Sequence, residues 1–436
     1  SMSEEGWNNT YPMVLRKEGY YTGWIGKNHV PVGMGGYDSG MMERSFDYWY
    51  AGHGHLGFYP KERHGIFKDA EMDTQVEVVG EGIQDFLSNE QKLEGALKFI
   101  DQRPADRPFM LSVCFNLPHG AGTGSMEMRE SDDEIYKTLY RDKDIPLPKN
   151  YVARKDIKEP KLPKEIHRAN DRQLGYDYVD TPEGFRERYI RQMEAMNGID
   201  RLVGQIRATL NEQKLDRNTV IVFTSDHGLF MGQFGLGGKA FCYEVTTHVP
   251  MIIFDPKSKK STRGKTSDAL VQSIDIAPTL LTMANVAIPE SYQGKDLGGI
   301  LAGSETTVRT FLYTENLWST QFGNPRCEAV QDMEWKYIRY YKNENLSASK
   351  KIGTAKAMGI NMNSMLYKVH DPDIALYRDF VEGPLNGEQA VYEELFNLKN
   401  DPDETTNLAM EDIYNKVLLK MRTVWEKEIK MARGDH

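Results

Sequence analysis

The sequence has little cysteine: three residues, Cys114, Cys242 and Cys327, in a chain of 436. The count is odd and no CxxC occurs. That excludes a dense disulfide framework and a cysteine-built zinc site. No unbroken apolar run reaches the roughly 20 residues of a membrane-spanning helix. Positive charge is not in excess either, since 54 Lys and Arg stand against 64 Asp and Glu for a net of −10. A broad electrostatic footprint for nucleic acid is therefore not expected. A local basic pocket for a small anion remains compatible with that balance. Internal repeats and low-complexity tracts are absent. Apolar and aromatic residues are not scarce: 39% hydrophobic and 11% aromatic is more than a disordered chain carries. The length suits one large domain with a smaller one, or two to three ordinary domains.

Strands alternating with helical patterns dominate the first 308 residues. Leu93, Ala96, Leu97 and Ile100 recur at helical spacing, and the apolar run 108–115 follows as a buried strand. Residues 184–213 place Ile190, Met193, Met196, Ile199, Leu202, Val203 and Ile206 on one helical stripe. Residues 219–224 and 249–254 read as further apolar strands, and 274–286 as a helix. Near-continuous apolar strands separated by helices predict a mostly parallel central sheet, an α/β architecture. The stretch 120–182, rich in Pro, Lys, Asp and Glu, predicts a long surface excursion. Beyond residue 308 the texture changes to short alternating strands at 311–314, 334–340 and 390–396, then an amphipathic helix at 411–432. The expected division is an α/β domain over 1–308 and a small C-terminal α+β subdomain with an antiparallel sheet over 309–436.

The sharpest chemical signal is Thr224-Ser225-Asp226-His227-Gly228 at the end of an apolar strand. Ligands of open α/β sheets sit beyond the carboxyl ends of the strands. A carboxylate beside an imidazole at that place makes a metal half-site, although an N-capping aspartate with a structural histidine would look the same. Gly26-Lys27-Asn28-His29 follows another expected strand, and Lys27 and His29 face one side of an extended chain. A fixed cation beside a titratable ring suits an anionic substrate and acid–base work. His119 follows the strand 108–115, and Lys239 lies in a glycine-rich loop just past Asp226 and His227. Each of these groups is unremarkable alone. Their recurrence beyond strand ends predicts convergence on one sheet edge and a tetrahedral oxyanion as ligand. His53 and His55, in a Gly/Tyr-rich stretch, and His248, before Val249-Pro250, are expected as substrate contacts at the rim. Tyr37, Trp49, Tyr50 and Tyr59 are candidates to stack on a sugar or aryl ring.

The ordered set resembles the type I sulfatases: Gly26-Lys27-Asn28-His29, Pro118-His119, Thr224 to Gly228, Gly238-Lys239 with Tyr243-Glu244, and Thr247 to Pro250. The tail Glu394 to Glu404 with Asn407-Leu408-Ala409, and Trp335 to Ile338, look like the same family's C-terminal sheet. The resemblance covers nearly the whole chain and implies the alkaline-phosphatase-like α/β fold. By position, it implies Asp226 and His227 as ligands of one divalent metal, usually calcium. It implies Lys27 and His29 as the pair that holds and deprotonates a hydrated formylglycine. His119 and Lys239 would bind the sulfate and assist departure of the alcohol. Calcium prefers oxygen ligands, so histidine at position 227 departs from the expected chemistry.

A larger departure concerns the nucleophile. The family uses a Cys or Ser within C/S-x-P/A-x-R, and the 436 residues contain no such segment. Ser125 to Arg129 has the arginine offset but carries Glu127 at the Pro/Ala position. The family order puts the nucleophile segment and two metal carboxylates ahead of Lys27, so the resemblance implies a chain shortened at its N-terminus. Such a chain is expected to be inactive alone and to expose a sheet edge open to self-association. Two alternatives stand beside sulfate ester hydrolysis: phosphodiester or phosphonate hydrolysis within the same superfamily, and non-catalytic binding of sulfated glycans. The expected partner is a small sulfated substrate such as a glycan, with no nucleic acid and no membrane span. Family resemblance implies a periplasmic or secreted location.

Overall fold

The computed structural model describes residues 2–28, 30, 32–33, 39–53, 58–59, 74–75, 94–115, 118, 138–163, 166, 179–259, 261–316, 325–341, 353, 355–359 and 389–434. The chain divides into two units. One contains Ser1–Pro146, Arg186–Thr219 and Ser349–Arg378; the other contains Leu147–Phe185, Val220–Ala348 and Asp379–His436.

The first unit opens with two short helices, α1 (Glu4–Asn8) and α2 (Tyr11–Lys17), which lead into strand β1 (Tyr21–Asn28). Then come α3 (Met41–Ser45), β2 (Tyr48–His53), the two-residue strands β3 (Phe58–Tyr59) and β4 (Thr74–Gln75), α4 (Glu94–Gln102) and β5 (Phe109–Cys114). β1 lies between β2 and β5, parallel to both, as an apolar strand reached through helical crossovers should. Phe99 of α4 covers this sheet, its ring centroid 5.1 Å from Tyr21, 5.7 Å from Tyr48 and 5.9 Å from Phe109. Gly23 has no side chain because Phe99 is there: a Cβ would lie 2.6 Å from its ring. Trp7, Met13, Met42, Phe46 and Trp49 form a second apolar cluster.

The helix α5 (Pro182–Glu212) forms over the expected span, and Ile190, Ile199 and Leu202 of the expected stripe are buried, but Met196 is exposed while Arg188 and Glu194 are buried. Arg141 forks onto it, to Glu194 at 3.2 Å and Glu187 at 2.6 Å.

The second unit carries β6 (Ile221–Thr224), the short hairpin β7 (Phe230–Met231) and β8 (Gly237–Gly238), α6 (Glu244–Thr247) and β9 (Met251–Phe254). β6 and β9 pair antiparallel, unlike the parallel arrangement their apolar composition suggested. The one helix in their connection is the four-residue α6, too little for the crossover helix a parallel pair requires. α7 (Ile276–Met283) and α8 (Gly298–Ala302) follow. The chain then builds an antiparallel sheet from β10 (Leu312–Asn316), β11 (Arg326–Gln331), β12 (Trp335–Tyr341) and β13 (Tyr392–Asn397), in sequential order. The terminal helix α9 (Asn415–Arg433) closes the element order.

Strand alternation sorts the residues of this sheet onto two faces. Val330, Tyr337 and Leu395 meet Leu418 and Met421 of α9. Cys327, Ala329, Ile338, Tyr340 and Phe396 point the other way, onto Phe230, Leu236, Phe241, Cys242 and Tyr243. Leu162 and Ile166 are fully buried in that same cluster, so the stretch expected as a surface excursion supplies core as well.

Candidate active site

β6 delivers the Ser225–Gly228 turn. Gly228 is required by close approach: a Cβ there would lie 2.1 Å from the Val245 carbonyl oxygen. Its amide donates to the Thr246 carbonyl at 2.9 Å, which ties the turn to α6. The Asp226 carboxylate, 80% exposed, accepts the His227 backbone N–H at 3.0 Å and stands 3.3 Å from His227 Nε2. His227 Nδ1 lies 3.0 Å from the Gly228 carbonyl, and His227 Nε2 lies 3.1 Å from Lys239 Nζ. The tautomer that satisfies these contacts carries its proton on Nδ1, donating to the carbonyl, and turns the Nε2 lone pair toward the lysine ammonium.

Lys239 is held by an unusual backbone. Gly238 has φ +106° and Ala240 has φ +67°, so left-handed residues flank it on both sides. Glycine adopts that region freely; alanine there is strained by about 1–2 kcal/mol. Strain of this kind persists where the surroundings over-determine the geometry.

The next residues anchor the loop. Tyr243 OH donates to Glu394 Oε2 at 2.7 Å, as does Tyr340 OH, and Lys161 Nζ lies 3.5 Å from the other oxygen. Burial, reinforced by the Glu394 carboxylate, pushes the Tyr243 phenol far above its ordinary value, so it serves as a neutral donor. Glu244 receives Lys336 Nζ at 2.7 Å and Gln331 Nε2 at 3.0 Å. Burial alone would raise the Glu244 carboxyl; Lys336 overrides it and holds the group below its usual range. Glu404 accepts the Glu244 backbone N–H at 2.7 Å and Lys336 at 3.0 Å. Glu404 is buried, and that burial pushes its carboxyl up to about 7 despite Lys336. Sequence reasoning did not find Lys336, Glu394 or Glu404. They lie within the family-like segments 335–338 and 394–404 with no role assigned, because their partners lie far away along the chain.

The expected site residues fall out as follows. Asp226, His227 and Lys239 come together. His248 lies beside them in sequence, its Nδ1 3.2 Å from Glu244 Oε2 and its side chain 79% exposed. Lys27 stands at the carboxyl end of β1 in the first unit, opposite Gly52 in register. The neighbouring Gly26, at φ +87°, would push a Cβ to 2.2 Å from the Cys114 carbonyl oxygen, so the motif needs glycine there. His29, His55, His119, Tyr37 and the Ser125–Arg129 segment lie outside the described residues. So do the side chains of His53 and Tyr59, whose backbones sit in β2 and β3. Trp49 and Tyr50 correct the sugar-stacking expectation: they are 6% and 7% exposed, with Trp49 packed at 6.0 Å on Phe46. Their apolar rings are core of the first unit.

The implied metal can be tested against these donors. Asp226 Oδ2 and His227 Nε2 offer one oxygen and one nitrogen. Among the described residues no group of three or more His, Cys, Asp or Glu could hold a metal ion. This pair alone does not make a calcium site, which takes six to eight oxygens.

The fold and this turn define a class of α/β protein with charged groups gathered at a strand end. The sulfatase family model matches residues 5–286, so the chain belongs to the sulfatase family. A second model, the C-terminal part of N-sulphoglucosamine sulphohydrolase, matches residues 232–349. The chain is 26% identical over 378 residues to an N-acetylglucosamine-6-O-sulfatase of Bacteroides thetaiotaomicron, covering 78% of this chain and 65% of that protein. It is 26% identical over 227 residues to an arylsulfatase of Clostridium perfringens, covering 51% and 43%. It thus spans less than two thirds of the length of either relative. A solved protein in complex with its substrate D-glucosamine-2-N,6-O-disulfate superposes with TM-score 0.65 at 18% identity, over 98% of this chain and 82% of that one. A phosphonate monoester hydrolase from Silicibacter pomeroyi superposes with TM-score 0.59 at 17% identity, over 97% and 79%. These likenesses show the alkaline-phosphatase-like fold.

Proposed function

We propose that the protein's reaction is hydrolysis of a sulfate monoester on a sugar. The observation that carries this reading is the Lys239–His227 contact at the carboxyl end of β6, in a chain of the sulfatase family. A sulfate monoester is an anion, so its charge must be offset before a nucleophile approaches. The Lys239 ammonium can do so, and His227 fixes its direction. By family resemblance, the roles proposed are sulfate binding and protonation of the departing alkoxide for Lys239 and His119, service of the nucleophile for Lys27 and His29, and sugar contacts for His53, His55 and His248. The reading keeps one divalent cation, calcium by family resemblance, on Asp226 and His227, with its other ligands supplied from outside this pair; a cation on His227 Nε2 would replace the contact with Lys239. The sulfated sugar is favoured by the relatives' own substrates, an N-acetylglucosamine sulfate and a glucosamine disulfate. Phosphonate hydrolysis is the weaker reading, since the family match and the curated relatives above are sulfatases.

The 436 residues hold no C/S-x-P/A-x-R segment, and we propose that they bind the ester without turning it over. An exported location fits the family, and among the described residues no helix is long and apolar enough to cross a membrane. Self-association through an exposed sheet edge is kept as part of this reading.

Titration calorimetry with glucosamine 6-sulfate and with glucosamine tests the site. The sulfated sugar is expected to bind at least about 10-fold tighter, and Lys239→Ala to remove about that factor. Equal binding of the two sugars would overturn the reading. Release of free sulfate would overturn the inactivity alone.

A further inference from the structure

Two of the three cysteines meet inside the second unit. Cys242 Sγ lies 3.5 Å from Cys327 Sγ, although the residues are 85 apart in sequence. Both are buried, at 1% and 0% exposed, and neither is bonded to a partner sulfur. We propose that Cys242 and Cys327 are a disulfide-forming pair, closed by a disulfide oxidant while the second unit folds. This does not depend on the reading of the sulfate site.

The geometry is set by two independent elements. Cys327 is on β11, on the face that also carries Ala329, where the antiparallel register opposes it to Asn316 and Tyr340. Cys242 comes from the loop that runs from Lys239 into α6, and Tyr243 beside it is fixed to Glu394. A disulfide needs the sulfurs at about 2.05 Å, so closure asks for an approach of about 1.5 Å, within reach of small side-chain rotations.

The pair is closed to reagents once the unit is folded. The hydrogen bond with Cys242, then burial, pushes the Cys327 thiol far above its ordinary value, and only the thiolate attacks a disulfide. The bond must therefore form before Phe241, Cys242 and Tyr243 are covered. One protein thiolate attacks the oxidant's disulfide, forming a mixed disulfide and releasing one oxidant thiol. The second protein thiolate then attacks the protein sulfur of that mixed bond and expels the other oxidant thiol. The two protein thiols lose two electrons and two protons in all, and the oxidant disulfide becomes two thiols. The product would join the segment three residues beyond Lys239 to the C-terminal sheet. It would also close a long loop, the case in which a cross-link constrains the unfolded chain most.

The test refolds the full chain in oxidised and reduced glutathione, and in reductant alone. Intact-mass and peptide mapping are expected to find the Cys242–Cys327 cross-linked peptide only after oxidative refolding, with Cys114 outside the cross-link. The oxidised form is expected to melt several degrees higher than the reduced form. Native reduced protein treated with the same oxidant is expected to form the bond far more slowly. Cys327→Ser should abolish the difference in melting; should that variant fail to fold, the wild-type peptide map still decides. Recovery of Cys242 and Cys327 as alkylatable thiols after oxidative refolding would overturn the proposal, as would a cross-link joining either of them to Cys114.

Discussion

The ammonium of Lys336 is shared between Glu244, at 2.7 Å, and Glu404, at 3.0 Å, with the lysine itself fully buried. Lys336 belongs to β12 and Glu244 to the first turn of α6, so one cation ties the Lys239 loop to the C-terminal sheet. Two carboxylates against one ammonium leave the cluster one negative charge too many when both are ionised.

Removing the cation exposes that imbalance. Lys336→Met keeps the stem's volume and strands two carboxylates, which is the costly way to break a buried ion pair. The expected loss of stability is roughly 3–5 kcal/mol, read as a lower urea midpoint. An unchanged midpoint would mean that Lys336 contributes no net pairing.

The same cluster sets a pH dependence. Burial raises the Glu404 carboxyl from 4.5 to about 7, with Lys336 opposing the rise only in part. Between these values the folded state binds more protons than the unfolded state. Stability contributed by Glu404 is therefore complete below about pH 4.5 and declines as pH rises through about 7, by on the order of 3 kcal/mol. The Glu194 carboxyl, also raised to about 7 by burial, acts in the same direction. Urea midpoints of wild type and Glu404→Gln between about pH 5 and about pH 8 separate the two. The variant should lose part of the decline, and parallel curves would refute the assignment to Glu404.

Glu328 anchors the terminal helix. It is fully buried and accepts from Tyr313 OH at 3.0 Å, Trp425 Nε1 at 2.9 Å, Arg433 at 2.9 Å and Tyr341 OH. Glu328→Leu leaves those donors without their acceptor, at a cost of roughly 3 kcal/mol. Trp425 also lies 3.7 Å beneath the Arg339 guanidinium. Its fluorescence should shift to the red as α9 loosens, and an unshifted spectrum with full stability would count against the anchor.

Much of the α/β pattern was legible because it rests on periodicity. The runs 108–115, 219–224 and 249–254 became β5, β6 and β9, and the 411–432 stripe became α9. β11 was not legible. Its sequence Arg-Cys-Glu-Ala-Val-Gln puts Arg326 and Glu328 at buried positions, so polarity no longer reports which face is inside. Trp49 and Tyr50 misled in the opposite sense, since an aromatic run serves a core strand as readily as a sugar platform. The meeting of Lys239 with His227 was foreseeable from strand-end placement. The charged anchors Lys336, Glu394 and Glu404 were not, because nothing local requires a buried charge to have its partner nearby in sequence.

The left-handed backbone at Ala240 sets tautness of the Lys239 loop against fold stability. Glycine at 240 would relax that backbone and firm up the native state, yet it would also let the lysine wander. A more durable protein with a less firmly placed Lys239 ammonium would be the outcome.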